Sequence, residues 1–374
     1  MQEVYKIMFN NFYKGKKVLV TGDTGFKGSW LCLWLLSLGA DVVGYALEPN
    51  TEPNLFETLS LRHKIKHITA DIRDYQKLFE VIETENPDVI FHLAAQPLVR
   101  YSYQNPKETY EINVMGSVNL FEAVRNLAQE IIVVNVTTDK CYENKEWIYG
   151  YREIDPMGGY DPYSNSKGCS ELVTSSYRNS FFNPEAYGKT HKIALASARA
   201  GNVIGGGDWS VDRLVPDCVK SLTKNEVIKI KRPLAVRPWQ FILEPLSGYL
   251  MLPTVIAGDI SKIEKFASGW NFGPLDTSVL TVQQIVENVL NVWGKGEYKI
   301  EKTDNLHEAT LLKLDISKAM NQLGWTPVYD VKTAIFETIE WYKNFYFKTG
   351  DVLEFSINQI KKYQQTSYTG CKLK

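Results

Sequence analysis

At 374 residues the chain exceeds one average domain, and a large α/β domain with an attached lobe accounts for the length. It is 44% hydrophobic, which excludes a disordered chain, and its 42 basic and 43 acidic residues leave a formal charge of −1, which excludes a global basic field for nucleic acid or an anionic membrane. The longest apolar run, Trp30 to Leu38, is too short to span a bilayer, and five scattered cysteines without a CxxC pair argue against a metal site or disulfide framework and for reduced thiols in a cytoplasm.

The opening stretch, MQEVYKIMFNNFYKGKK, lacks the apolar core of a secretory signal. Short β-branched runs then alternate with helical stretches. Lys17–Thr21 (KVLVT) reads as a buried strand and 27–38 as a helix. Further strands are expected at 42–46, 65–70, 89–92 and 131–136, with helices at about 74–85 and 107–128. A helix over about 163–180 and a strand at 193–199 continue the alternation. This order predicts a parallel sheet covered by helices on both faces. After Gly201 the pattern turns irregular. Short strands near 227–230, 239–242 and 270–272 mix with helices near 244–257, 280–293, 315–323 and 331–346. These are read as a smaller mixed α/β lobe on the carboxyl ends of the strands, where open parallel sheets bind ligands. The expected division is 14–200 for the sheet domain, which also receives a strand near 239–257, then 201–350 for the lobe, then 351–374 for a C-terminal helix and polar tail. The last dozen residues, YQQTSYTGCKLK, have the composition of a disordered end.

Gly22-Asp23-Thr24-Gly25-Phe26-Lys27-Gly28 follows the first strand and opens a helix. Glycine there allows a tight turn, close approach of backbone to a pyrophosphate, and close strand–helix packing. The helix N-terminus adds free N–H groups and the positive end of its dipole. The spacing is G-x-x-G-x-x-G, one residue longer in its first gap than the commoner dinucleotide fingerprint. Its strand–turn–helix context favours a bound dinucleotide over a plain glycine-rich turn, with Gly22, Thr24, Gly25, Phe26, Lys27 and Gly28 as contacts. Asp71 and Ile72 follow the third strand and are placed to meet an adenine. Leu93-Ala94-Ala95 closes the fourth strand with small residues past which a cofactor backbone can run. His92, just before them, reads as a satisfied buried histidine. Glu48 is the candidate acid for a ribose diol, although it lies beyond the second strand, and NAD is preferred to NADP.

Tyr163-Ser164-Asn165-Ser166-Lys167 is a Y-x-x-x-K at helical spacing, which puts both side chains on one face. A lysine near a tyrosine hydroxyl stabilises the phenolate and lowers its pKa toward neutrality, which makes a base. Thr137-Thr138-Asp139-Lys140 closes the fifth strand before that helix. Thr138 can hydrogen-bond a sugar hydroxyl or nascent carbonyl, and Asp139 is a candidate general acid, against the plainer reading of a turn residue. Residues 212–237 hold seven basic side chains (Arg213, Lys220, Lys224, Lys229, Lys231, Arg232, Arg237) against three acidic ones (Asp212, Asp217, Glu226). A diphosphate needs such a site, and arginine can clamp it bidentately. Lys220 and Lys224 read as a solvated helix face. Arg237, beside Pro238 and Trp239, reads as the clamp, with Arg213 or Lys231 as alternatives.

Taken in this order, these elements resemble the extended short-chain dehydrogenase/reductase family of nucleotide-sugar enzymes, over about residues 14–345. Three stretches narrow the resemblance to the CDP-glucose branch of the sugar-nucleotide 4,6-dehydratases. They are Gln96-Pro97-Leu98-Val99-Arg100, the run from Arg199 through Gly205-Gly206-Gly207-Asp208-Trp209, and Arg237-Pro238-Trp239-Gln240 before Leu243-Glu244-Pro245. Asp139-Lys140 is the most telling element, because most 4,6-dehydratases carry Asp-Glu there. The resemblance implies a Rossmann-type doubly wound sheet, tightly held NAD, CDP-glucose as substrate, and a cytoplasmic homodimer formed through the helices near 107–128 and 163–180.

It also implies a mechanism. Tyr163 takes the proton of the C4 hydroxyl while hydride passes from C4 to NAD. The 4-ketone acidifies C5, Asp139 protonates the hydroxyl leaving C6, and hydride returns to C6. Thr137, Tyr163 and Lys167 also meet the cofactor. Gln96, Arg100, Asn202, Arg213, Leu214, Val215, Lys231, Arg237 and His307 meet the nucleotide sugar. Lys140 stands where relatives place the glutamate that takes the C5 proton. Two options stay open for it: a neutral amine, or a charged lysine that stabilises the enolate. The alternative function is an epimerase of the same fold, or a dehydratase of another nucleotide hexose. An epimerase would share Tyr163 and Lys167 but would not need Asp139. A regulator that kept the fold without the chemistry is disfavoured because Tyr163 and Lys167 are both present.

Overall fold

The computed structural model describes residues 9–258, 260–301 and 311–372. Strands β1 (Lys17–Thr21), β2 (Asp41–Ala46), β3 (Lys66–Thr69), β4 (Val89–His92), β5 (Ile131–Val136) and β6 (Ile193–Ala200) alternate with helices, as the apolar pattern predicts. They are followed by β7 (Asn202–Ile204), β8 (Ile228–Ile230), β9 (Val236–Phe241), β10 (Gly269–Phe272), β11 (Val279–Thr281) and β12 (Tyr298–Ile300). The main sheet has seven strands in the order β3-β2-β1-β4-β5-β6-β10, and every pairing in it is parallel. Both faces are buried, so its strands are apolar on successive residues and not only on alternate ones. Val18 and Val20 of β1 pack with Trp30 and Trp34 on one face. Leu19 between them packs with Leu78, Ile82 and Phe121 on the other. The chain crosses from one half of the sheet to the other between β1 and β4. A doubly wound sheet opens a crevice at that point, at the carboxyl ends of its strands.

Two assignments from the sequence are corrected here. The run near 270–272, read as part of the lobe, is β10, which pairs with β6 at the edge of the main sheet. The strand near 239–257 does not join that sheet. β9 pairs with β7 and β11 in a separate three-stranded sheet, and Leu243–Ile256 is a helix. Both errors have one cause: a short buried run shows that it is buried, not which distant strand it pairs with. The core also begins earlier than residue 14. Phe9 and Tyr13 are buried, and the Tyr13 hydroxyl donates to the Leu250 carbonyl at 2.7 Å.

The C-terminal end is corrected as well. Val352–Lys372 is one helix that runs through the stretch expected to be disordered. Among its described side chains the buried anchors are Ser356, Gln359, Ile360, Tyr363 and Gln364, three of them polar, which is why its composition looked like a tail. Ile360 and Tyr363 are fully buried. The Tyr363 ring packs edge-on against Trp34 at 5.8 Å, and its hydroxyl donates to Glu244 Oε2 at 2.7 Å. Glu244 also accepts the backbone N–H of Tyr329 at 2.7 Å and that of Val328 at 3.0 Å. One buried carboxyl therefore joins three separate segments.

Burial pushes the Glu244 pKa up to about 7, against the opposing pull of those three donors. Its folded pKa thus lies above its unfolded one, so the folded state holds the proton more tightly. The stability it contributes is complete below the unfolded pKa and is lost as pH rises through about 7. At roughly 1.4 kcal/mol per unit the full effect is about 3 kcal/mol. Glu244→Gln is expected to flatten the fall of the thermal midpoint between mildly acidic and mildly alkaline pH. Equal slopes in the two proteins would assign that titration to another group.

Candidate active site

The loops after β1, β4, β5 and β6 open into one cleft of about 1580 Å³, closed on its far side by the segment 208–237. A pocket for one small ligand measures roughly 300–1,000 Å³, so this space has room for two ligands.

At one end lies the glycine turn. Gly22 has φ +77°, and a Cβ there would stand 2.7 Å from the Ala94 nitrogen. A Cβ on Gly28 would stand 2.0 Å from the Gly22 carbonyl oxygen. The loops after β1 and β4 therefore touch as bare backbone. The helix Phe26–Ser37 starts there with Gly25 as its N-cap and no side chain bonded to its first N–H groups. Thr24, Phe26 and Lys27 line the cleft with Gly22, Gly25 and Gly28. Asp71, Ile72, Leu93, Ala94 and Ala95 line it too. This backbone cradle and its uncapped helix end fit a dinucleotide pyrophosphate. Asp71 is turned toward Arg73, which bonds its carboxylate at 2.6 Å and holds its pKa below the usual range. Glu48 lies at the mouth, accepting from Arg62 at 2.6 Å and Thr69 at 2.8 Å. His92 bonds Thr21 Oγ1 at 2.8 Å and Ser117 Oγ at 3.3 Å. Burial pushes its pKa down to about 3, which makes it the satisfied neutral histidine expected.

The other wall is built on the helix Pro162–Ser180. Asp161 caps it, accepting the Ser164 N–H at 2.9 Å, and Pro162 takes the first position, where no N–H is needed. Ser102 Oγ accepts the Tyr163 N–H at 3.1 Å and fixes the entry of the helix. Tyr163 and Lys167 then face the cleft together with Thr137, Thr138, Asp139 and Lys140 from the end of β5. Thr138 hydrogen-bonds the Tyr163 hydroxyl. Its own hydroxyl lies 3.0 Å from Asp139 Oδ1, and the Lys140 ammonium is 3.5 Å from the same oxygen. Asp139 Oδ2 is buried with no partner among the described residues. The Lys140 side chain is 34% exposed.

The expected lowering of the tyrosine pKa does not hold in the protein alone. Burial pushes Tyr163 up to about 12, against the opposing pull of Arg213 and the Thr138 hydrogen bond. Lys167 does not reach the phenol here. Its ammonium points to the Val136 carbonyl at 3.5 Å, and burial lowers its pKa to about 8.

Asn202, Arg213, Leu214 and Val215 line the cleft opposite Tyr163, and Lys231 and Arg237 extend that wall. Arg100 lies at the mouth, 3.6 Å from Asp212. Gln96 is not in the cleft. It is buried, with its amide bonded to Leu98 N at 2.5 Å and Thr109 Oγ1 at 3.0 Å, so it shapes the turn behind the wall. His307 lies outside the described residues.

Sequence reasoning missed the group beneath the site. Glu171, one turn beyond Lys167, accepts from Thr137 Oγ1 at 2.5 Å, Ser197 Oγ at 2.8 Å and Arg199 Nη2 at 2.7 Å. Burial opposes ionisation, but Arg199 and these hydrogen bonds prevail and hold its pKa below the usual carboxylate range. Its spacing on the Tyr163–Lys167 face was the available signal. Among the described residues no group of His, Cys, Asp or Glu is arranged to hold a metal ion, and no helix is long and apolar enough to cross a membrane.

A phenol, a carboxyl, a threonine hydroxyl and several amines thus converge beside a dinucleotide cradle and a basic wall. The set can move protons on a bound polyol while a neighbouring cofactor takes its electrons. Comparisons agree with this chemistry. Residues 19–338 match the family model described as GDP-mannose 4,6 dehydratase. The chain is 49% identical over 358 residues to the CDP-glucose 4,6-dehydratase of Salmonella typhimurium, covering 96% of this chain and 98% of that protein. It is 28% identical to a putative UDP-glucose 4-epimerase of Methanocaldococcus jannaschii, covering 87% of this chain and 98% of that one. Among solved structures it resembles the dTDP-glucose 4,6-dehydratase of Streptomyces venezuelae, determined with NAD bound, with a TM-score of 0.73 at 22% identity, over 88% of this chain and 97% of that one. That likeness shows the shared fold. The chain belongs to the GDP-mannose 4,6 dehydratase family of nucleotide-sugar enzymes.

Proposed function

We propose that the protein converts CDP-glucose to CDP-4-keto-6-deoxyglucose and water, with NAD as its resident cofactor. The end-to-end match at 49% identity to the Salmonella CDP-glucose 4,6-dehydratase carries this reading. The cleft supports it: Asp139, an acid that an epimerase would not need, stands beside Tyr163 and Lys140. The glycine cradle, Asp71, Ile72 and the small residues after β4 would hold NAD. When bound, NAD would supply reversible two-electron oxidation and, in its oxidised form, a positive charge.

The chain's own groups handle the protons. Tyr163 accepts the proton of the C4 hydroxyl. Its high pKa in the protein alone means that added positive charge must accompany this step. Thr138 holds the oxygen at C4 through its hydrogen-bonding hydroxyl. Asp139 gives a proton to the oxygen leaving C6, and its unpartnered Oδ2 is the atom free to do so. Lys140, 3.5 Å from Asp139 Oδ1, stabilises the enolate that forms as C5 is deprotonated. Arg213, Lys231 and Arg237 bind the pyrophosphate, with Leu214 and Val215 beside the base. Met115 and Leu172, on the two helices expected to form a dimer, are 50% and 59% exposed, which supports a homodimer there. A cytoplasmic location is consistent with four described cysteines that are all free thiols.

Incubation with NAD and CDP-, dTDP-, UDP- and GDP-hexoses should give loss of one water by mass spectrometry with CDP-glucose, and a C4 epimer from any of them would overturn the dehydratase reading. Tyr163→Phe should keep the fold and slow turnover by about 10² or more, the scale of a general-base contribution. Near-normal turnover would remove Tyr163 from the mechanism. Arg237→Ala should weaken CDP binding by roughly 1.5–3 kcal/mol in calorimetry, with a much smaller effect on NAD. Unchanged CDP affinity would move the clamp to Arg213 or Lys231. Light scattering should give twice the chain mass, and Leu172→Glu should halve it. A monomeric wild type would end the dimer proposal.

A further inference from the structure

Beneath the glycine turn lies a row of polar contacts that none of the steps above uses. Asp23, in that turn, sends its side chain toward β2 and β3, where it is fully buried. Gly44 of β2 makes the room, since a Cβ there would stand 2.1 Å from Asp23 Oδ2. His67 of β3 pairs with Gly44 across the sheet, and its Nδ1 lies 2.7 Å from the same oxygen. On the other side of the ring, Nε2 lies 3.2 Å from Thr69 Oγ1, and that hydroxyl donates to Glu48 Oε1 at 2.8 Å. Glu48 lines the cleft at its mouth, and its second oxygen accepts from Arg62 at 2.6 Å. The row thus runs from the phosphate turn to the mouth. Its inner end is buried and its outer end exposed, and an exposed ion pair by itself fixes a side chain weakly.

These contacts fix where the protons are. A threonine hydroxyl has one proton, and Glu48 receives it. His67 Nε2 must therefore donate to the Thr69 oxygen. The 2.7 Å contact between Nδ1 and Asp23 then needs a further proton, carried by either atom. In both forms the Asp23–His67 pair is neutral overall, as the burial of its two side chains requires. If the shared proton leaves, a bare carboxylate stands under the turn and Nε2 can no longer donate. Thr69 must then turn its hydroxyl to the ring and release Glu48. We propose that Asp23 and His67 are positioning residues for the cofactor: their shared proton keeps the phosphate turn free of net negative charge and, through Thr69, holds Glu48 at the mouth for the adenosine ribose. The role rests on NAD as the cofactor. The other titratable groups facing the pair are the Cys32 thiol of the helix Phe26–Ser37, whose pKa burial pushes up, and Arg62 with its partners Glu48 and Glu57.

The test measures NAD affinity by calorimetry from mildly acidic to alkaline pH in wild type, Asp23→Asn and His67→Phe, with CDP affinity at neutral pH alongside. Wild-type NAD affinity should be highest at acidic pH and fall about tenfold as the shared proton is lost, the scale of one lost hydrogen bond. In Asp23→Asn the amide can donate to Nδ1, so Nε2 keeps its proton for Thr69 without a shared one. The tenfold fall should be absent from that variant. His67→Phe keeps a ring beside Phe56 but breaks the row, and NAD affinity at neutral pH should drop about tenfold. CDP affinity should stay near the wild-type value in both variants. An equal fall with pH in wild type and Asp23→Asn overturns the proposal, and so does wild-type NAD affinity in His67→Phe. Equal losses of NAD and CDP affinity assign the row to folding and overturn it too. If His67→Phe fails to fold, the pH profile of Asp23→Asn decides. Wild type that binds no NAD at any pH sinks the cofactor reading and this role with it. Tight NAD binding that is independent of pH in wild type sinks the Asp23–His67 role alone.

Discussion

Arg199 on β6 and Glu171 on the helix Pro162–Ser180 meet at 2.7 Å with both side chains buried, and the active-site loop hangs on that contact. Glu171 takes the Thr137 hydroxyl with its other oxygen, while Arg199 Nη1 donates to the Tyr142 hydroxyl at 2.6 Å. The residues from Thr137 to Tyr142 are thus held at both ends by one ion pair. Losing either partner would leave a buried charge uncompensated, which costs about 3–5 kcal/mol in comparable cases. The pair also sets the height of the helix against β5 and β6, and with it the positions of Tyr163 and Lys167.

A second constraint works from the opposite side. The turn after β1 lies against the loop after β4 with no room for a side chain between them, and a clamp of hydrogen bonds stiffens that region. Asn113, in a π turn of the helical stretch 106–125, accepts the Gln96 N–H at 2.8 Å and donates to Ser166 Oγ at 2.8 Å. The β4 loop is thereby tied to the helix that carries Tyr163. The cradle and the proton-transfer groups belong to one rigid unit, and residues from the segment 208–237 close it from outside.

The cleft between them is lined by basic and acidic side chains in nearly equal number, with cations gathered about Lys27. At Lys27 three cationic side chains, Arg213, Lys167 and Lys140, act against one carboxyl, Asp139. Such a site favours anionic ligands and neutral amines together, because both relieve the same repulsion. It also explains why Tyr163 and Lys167 depart from the expected scheme. Their Y-x-x-x-K spacing places them on one helix face, but the charge each feels comes from Arg213, Glu171 and the depth of burial. None of these is written in the motif.

Much of the molecule was legible from residue patterns. Continuous apolar runs at β1, β4, β5 and β6 announced a sheet buried on both faces, and the glycine turn placed its phosphate end. Of the expected site residues that the structure describes, all but Gln96 line the cleft, and the polar side chain of Gln96 is spent on its own turn. Local chemistry determined these things: period, capping, turn residues and motif order act between near neighbours, and the sequence by itself contains them. Tertiary structure alone decided the rest. It assigned β10 to the main sheet, docked the helix Val352–Lys372 through Tyr363 and Glu244, and set Arg199 against Glu171. It also set Lys27 among the charges of Arg213, Lys167 and Lys140. Each of these depends on groups far apart in the chain meeting in a low-dielectric interior, where pairing and desolvation outweigh local preference.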